Sequence, residues 1–179
     1  MLTKEQLEGL GLAIDESALV DLHIDSALRR ADIALQVYAL PENDLMPKDR
    51  VINLMLSDVA RISASFIKTA HIGGKPLEIL PINTLDHLEE KLRLSRGVAI
   101  YGDDFFQRYE GKLPKWFDRL SFDTKLDDSI DQTYTLDLFR ELDHSSFGIR
   151  IWFRDLKIEK NGKEIDIGQF IEDGKRWWE

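Results

Sequence analysis

Read for the alternation of apolar and polar positions, the chain divides most clearly in its last third. Asn161-Gly162 stands between two alternating runs and predicts a two-residue β-hairpin turn of type I′. That turn sets a register in which Lys160 faces Lys163, Ile158 faces Ile165 and Leu156 faces Ile167, with the apolar pairs on one face. The period is also two from Ser17 onward. Ala18, Val20, Leu22 and Ile24 are expected on the core side, with Leu19, Asp21, His23 and Asp25 facing away. A second run, Ala31 to Ala39, follows a four-residue loop from Ser26 to Arg29, placing Leu22 opposite Ile33 and Val20 opposite Leu35. Pro41 ends this strand.

Ile52, Leu54 and Leu56 predict another strand. Val59 to Lys68 fits both a strand and a helical template; the serine-rich alternate face (Ser63, Ser65) and the preceding hairpin favour a strand. After the Gly73-Gly74 connection the leucines at 85, 88 and 92 predict a helix over about 84–94, capped by Asn83 or Thr84 and closed near Gly97. Val98 to Tyr101 reads as a short strand. The segment from Asp103 to Phe117 is an aromatic-rich connector, and Ser121 to Leu126 is a strand. Tyr134, Leu136 and Leu138 begin a hairpin with a loop at 143–146, giving Leu138 opposite Ile151, Leu136 opposite Phe153 and Phe139 opposite Arg150. Beyond Arg154 the inward phase slips by one residue. A bulge or bend at Arg154-Asp155 restores it, as happens where a strand passes between two sheets. Short helices are expected at 3–9, with Thr3 as N-cap, and at 169–173, stopped by Gly174. The sum is a single mainly-β domain over 1–179: an antiparallel β-sandwich or strongly curved sheet with one mid-chain helix and short terminal helices.

Composition narrows the function only a little. Residues 1–179 suffice for one substantial core. No apolar run of membrane-spanning length occurs, and the first residues do not read as a secretory leader. The absence of cysteine removes disulfide and thiolate chemistry and fits a cytoplasmic location. A net charge of −9 argues against nucleic acid and anionic membranes and favours a basic protein partner.

Two constellations are candidates for function. Asp21-x-His23-x-Asp25 places three metal-competent side chains on one strand face, at steps of roughly 6.5–7 Å. With a distant His71, His87 or His144 it would make a metal-dependent hydrolase or sugar-acting enzyme. Its simpler reading is the solvated side of a half-buried strand. Trp152 falls opposite Ile151 and Phe153, flanked by Arg150 and Arg154, with Phe139 beside it in the expected register. This face could anchor a ligand, a partner or a second copy of the chain, or it is covered by the C-terminal helix or by Trp177 and Trp178. Asp127-Asp128-x-x-Asp131 resembles a calcium loop only in charge, and Gly73-Gly74-Lys75 lacks phosphate-loop spacing. No nucleophile motif is present, and no cofactor is called for. The expectation is a non-enzymatic binding or interaction module.

Overall fold

The computed structural model describes residues 1–39, 49–68, 78–93, 97, 99–100, 105–111, 113, 115–129, 133–142 and 145–178. The chain opens with helix α1 (Lys4–Ile14), followed by strands β1 (Ala18–Asp25), β2 (Arg30–Gln36), β3 (Val51–Ser57), β4 (Arg61–Lys68) and β5 (Glu78–Ile79). Helix α2 (Leu85–Arg93) leads to β6 (Phe106–Arg108), a 3₁₀ turn (Lys115–Asp118) and β7 (Phe122–Lys125). Then come β8 (Tyr134–Leu142), β9 (Ser145–Phe153), β10 (Asp155–Lys160), β11 (Lys163–Ile165) and helix α3 (Ile167–Trp178). Strands take 46% of the described residues and helices 25%, so the fold is mainly β. No helix among the described residues is long and apolar enough to cross a membrane.

The strands form two antiparallel sheets. The first has the order β1-β2-β3-β10-β11 and the second β5-β4-β9-β8-β6, with β7 also paired to β4. Leu22, Ile33, Leu54 and Ile158 of the first sheet share one apolar core with Ile62, Leu136, Ile149 and Ile151 of the second. Short described segments join them: β3 ends at Ser57 in the first sheet and β4 begins at Arg61 in the second, and β9 ends at Phe153 in the second while β10 begins at Asp155 in the first. The expected phase slip at Arg154 is therefore the crossing point, and the core-facing parity changes there because the strand changes sheets.

The Asn161-Gly162 hairpin has the expected pairs Lys160 with Lys163 and Ile158 with Ile165, and both turn residues have positive φ, 52° and 72°. Leu156 does not meet Ile167 across a ladder, because Ile167 already begins α3. In β1 the register shifts between Leu19 and Asp21, so Leu19 rather than Val20 pairs with Leu35 and is buried. The β8–β9 hairpin is two residues tighter than expected, with Leu142 opposite Ser145, Leu136 opposite Ile151 and Leu138 opposite Ile149. An even shift leaves every side chain on its own face, so apolar alternation could not distinguish the two registers.

Helix α1 follows a capping box: Thr3 Oγ accepts from the Gln6 N–H while Gln6 Oε1 accepts from the Thr3 N–H. It runs past the expected end at residue 9, burying Leu10, Ala13 and Ile14. Helix α3 is also longer than expected and runs through Gly174. That glycine is a packing site, not a stop: an ideal Cβ there would lie 2.5 Å from Ala13 Cβ and 2.6 Å from Ala13 Cα. At Gly9 a Cβ would lie 2.6 Å from Ile171 Cγ2, and Trp178 Nε1 donates to the Leu12 carbonyl at 3.1 Å. The contacts advance together along both helices, so α1 and α3 pack parallel, with their C-terminal ends side by side.

Candidate functional site

Asp21, His23 and Asp25 lie on β1, an edge strand of the first sheet, and α2 packs beside it. Thr84 Oγ1 accepts from the His87 N–H at the start of α2, and Leu88 and Leu92 turn inward, as the leucine spacing predicts. The same helix buries Glu89, whose Oε1 accepts the outward N–H of Ile24 at 2.6 Å and lies 3.3 Å from His23 Nδ1. Arg93 reaches Glu89 at 3.3 Å and Asp21 at 3.5 Å. Asp25 Oδ1 accepts from the Leu28 N–H in the following loop. The three side chains thus fasten a helix and a turn to the sheet edge, blunting an exposed ladder. Among the described residues no three His, Cys, Asp or Glu converge as a metal would require. His71 and His144 lie outside the described residues, and so do Asp131 and the Gly73-Gly74-Lys75 segment.

The Trp152 face is the outer face of the second sheet, and its side chains are closely interlocked. Trp152 is fully buried and Arg150 nearly so. In the observed register Arg150 stands opposite Asp137, with Nε donating to Asp137 Oδ1 at 2.6 Å and the second guanidinium nitrogen pairing with Oδ2. Phe139 instead stands opposite Gly148. Opposite charges gain from direct cross-strand pairing, which favours this register over the one that puts Phe139 against Arg150. Arg61, next to Trp152 across the β4–β9 ladder, forms two 2.8 Å bonds to Asp123, which also accepts 2.6 Å from Ser63 Oγ. The Arg61 guanidinium sits 4.9 Å from the Phe117 ring centre and 5.2 Å from that of Trp152; Arg150 lies 5.6 Å from Trp152.

The hydrogen bonds to Asp123 raise the Arg61 pKa above its ordinary value. Partial burial pulls the Asp123 carboxyl upward, but the bonds from Arg61 and Ser63 outweigh it and hold the carboxyl below the ordinary range. Over this layer lies the connector before β7. Tyr109 and Phe117 meet Trp152 edge-on at 6.0 and 6.5 Å, and Trp116 packs on Gly148, where a Cβ would come within 3.2 Å of its ring. Ser65 Oγ bonds the Arg119 carbonyl at 2.7 Å. Trp152 is thus covered by Tyr109 and Phe117 of the chain's own connector, not by Trp177 or Trp178. Its Nε1 has no hydrogen-bond acceptor among the described residues.

Arg154 belongs to a different cluster. It sits at the sheet crossing, donating to Ser129 O and Oγ at 2.8 Å. Nearby, Arg29 pairs with Asp58 at 2.5 Å and with Asp127. Asp127 also accepts from the Ser129 N–H and hydroxyl, and these bonds followed by that of Arg29 hold its carboxyl down at about 2. Asp127 is therefore a loop clasp.

Of the four side chains expected on one binding face, the structure brings Trp152 and Arg150 together under cover and puts Phe139 beside them at Gly148. Arg154 is elsewhere. Sequence reasoning did not find Arg61, Asp123, Asp137 or Phe117 as members of this layer. The polar alternate side of β4 was visible, but its partner β7 lies some 60 residues away. No protein-family model, characterised protein or solved structure matches the chain.

Proposed function

We propose that this chain is a non-enzymatic binding module whose partner is a basic protein. The observation that carries the proposal is how its charge is distributed. The sequence holds 33 acids against 24 lysines and arginines. Arg29, Arg61, Arg93, Arg150 and Arg176 are engaged with carboxylates of the chain itself. Exposed Glu16, Glu78, Asp86, Glu90, Glu110, Asp128 and Asp155 make no ion pair among the described residues. An acidic field of this kind speeds encounter with a cationic surface and repels nucleic acid and anionic lipid. Self-association would bring like charges together, so the field argues against it.

The test is reconstitution. The immobilised chain captures proteins from an extract of its source at low ionic strength, the captured protein is identified and purified, and the pair is titrated over a salt series. A basic protein whose Kd weakens steeply with salt is the expected result. Salt-independent binding of a neutral or acidic protein would overturn the proposal. So would a stoichiometric divalent metal lost on His23→Ala together with hydrolytic activity.

A further inference from the structure

At one end of the first sheet the alternation that builds the core gives way to cations on three neighbouring strands. On β3 the inward side carries Leu54 and Ile52, and the next inward position is Arg50. The Arg50 carbonyl accepts from the Val37 N–H at 3.0 Å and so extends the β2–β3 ladder. On β10 the inward side carries Ile158 and then Lys160; on β11 it carries Ile165 and, beside the turn, Lys163. Lys160 and Lys163 stand directly opposite each other, where like charges repel. Arg50, Lys160 and Lys163 make no ion pair among the described residues.

These positions border a cavity of about 70 Å³ between the sheet end and α3. Val37, Ile52, Ile165 and Phe170 give it apolar walls, and Arg50, Lys160 and Asp173 complete the lining. Val37, Ile52 and Phe170 are buried while Arg50 and Lys160 are half-buried, so the apolar part lies inside and the cations nearer solvent. Asp173 does not neutralise them: its Oδ1 already accepts from Gln169 Nε2 and from Arg176, each at 2.8 Å. Glu159 and Glu164 lie on the opposite side of the hairpin, where Lys157 holds Glu164 at 2.9 Å. In a chain of net charge −9, this end of the sheet is locally positive.

We infer that this cavity binds a small carboxylate with a short aliphatic tail, the tail in the apolar part and the carboxylate on Arg50 and Lys160. The inference goes beyond the basic-partner reading and does not depend on it. The size of the cavity sets the tail: it is roughly half of the ~150 Å³ that takes a benzene ring in a protein core, which suits a chain of about three carbons and not a ring. Arg50 sets the head group. Its guanidinium lies 4.9 Å from the Tyr38 ring centre, and Tyr38 stacks on Trp177 at 5.1 Å. A guanidinium held by its face binds two carboxylate oxygens through its edge. Lys160 adds a point charge, and a bound anion relieves its repulsion with Lys163.

The experiment is heteronuclear NMR of the isotope-labelled full chain titrated with sodium butyrate at constant ionic strength, with acetate, butylamine, benzoate and inorganic phosphate as comparisons. Butyrate is expected to shift the amides of Val37, Ile52, Lys160 and Ile165. It should bind about fifteenfold more tightly than acetate, because each of its two extra methylenes contributes about fourfold on burial. Butylamine, benzoate and phosphate should bind much more weakly. Arg50→Gln should weaken butyrate binding about tenfold through the loss of charge-assisted hydrogen bonds. Lys160→Met should weaken it severalfold while raising Tm, since it removes a like-charge pair and restores an apolar inward position; that separates the effect from unfolding. Lys157→Met removes a cation from the other side of the same strand and should change binding less than twofold.

No saturable shift at tens of millimolar butyrate would overturn the inference, and so would equal affinity for butyrate and butylamine. Equal affinity for butyrate and acetate, or phosphate binding as tight as butyrate, would show a bare-anion site and refute the tail. Benzoate binding as tight as butyrate would refute the size argument. Equal losses in Arg50→Gln and Lys157→Met would reduce the effect to general charge and refute the site. The basic-partner reading stands or falls on its own salt series, whichever of these results is obtained.

Discussion

Replacing Gly174 by alanine sets two physical effects against each other. In an unobstructed helix interior the change favours folding by about 1 kcal/mol, because glycine loses more backbone freedom on folding. In α3 the new methyl would lie 2.5 Å from Ala13 Cβ and 2.6 Å from Ala13 Cα. Carbon atoms in ordinary contact are roughly 3.5–4.0 Å apart, so the helix axes must separate by about 1 Å. Overpacking of this kind typically costs about 1–3 kcal/mol, and it falls here on backbone that cannot swing aside. The net expectation is a loss of about 1–2 kcal/mol, or a fall in Tm of about 2–8 °C for a domain of this size. Thermal and urea unfolding, followed by circular dichroism, measure it. Gly11→Ala is the internal control: a methyl there would meet only Phe105 at an ordinary 3.9 Å, so propensity should prevail and stability rise by up to about 1 kcal/mol. Adding Ala13→Gly to Gly174→Ala should recover only part of the loss, because the Ala13 Cα remains. If Gly174→Ala raises Tm as Gly11→Ala does, the helices do not pack at this distance and the parallel pair is wrong.

Three further outcomes are expected. Trp152→Ala should lose about 3–5 kcal/mol in urea unfolding, while Trp152→Phe loses distinctly less because it also removes a buried donor without an acceptor; equal losses would contradict the packing described for this layer. Glu89→Ala strips the Ile24 N–H of its acceptor and should destabilise by about 1–3 kcal/mol, with faster amide exchange at Ile24; unchanged exchange there would mean that Glu89 does not close the sheet edge. Asp127, held at about 2 against an ordinary value near 3.8, binds fewer protons when folded than when unfolded at intermediate pH. Its contribution is therefore present above about pH 4 and is lost as the pH falls toward 2. Asp127→Asn should flatten the acid limb of the stability curve in that window, and an unaltered limb would show that the Ser129 and Arg29 bonds to Asp127 do not form in solution.

Local chemistry was the legible part of this fold. Asn161-Gly162 announces its hairpin because only a few residue types tolerate positive φ at both turn positions. The change of inward parity at Arg154 announces the passage between sheets because alternation cannot survive it otherwise. The β8–β9 register was misread by two residues, since apolar period fixes parity and not alignment; the Arg150–Asp137 charge pair decides it. Gly174 was misread as a terminator because a glycine that ends a helix and a glycine that admits a neighbour look identical in sequence. The candidate sites suffered from a related ambiguity. The polar side of β1 offers the same letters to a metal, to water or to α2, and only tertiary placement of Glu89 and Arg93 chooses. The cover over Trp152 was expected from the wrong segment, because aromatic content alone does not say which strand a connector crosses.

The pairing of the first helix with the last also bears on how the protein comes into being. Leu12 and Trp178 are 166 positions apart, and Leu2 donates to the Tyr134 hydroxyl across 132. On a ribosome adding about 5–20 residues per second, α1 waits on the order of ten to thirty seconds for its companion. Through that interval Gly9, Leu12 and Ala13 have no native helix to lie against, and the nascent chain carries an unshielded amphipathic segment. Contacts this distant also slow the final search, because loop closure must precede the burial that rewards it. Shielding by a chaperone during synthesis, and slow refolding from denaturant, are the costs of pairing two helices that lie so far apart in sequence.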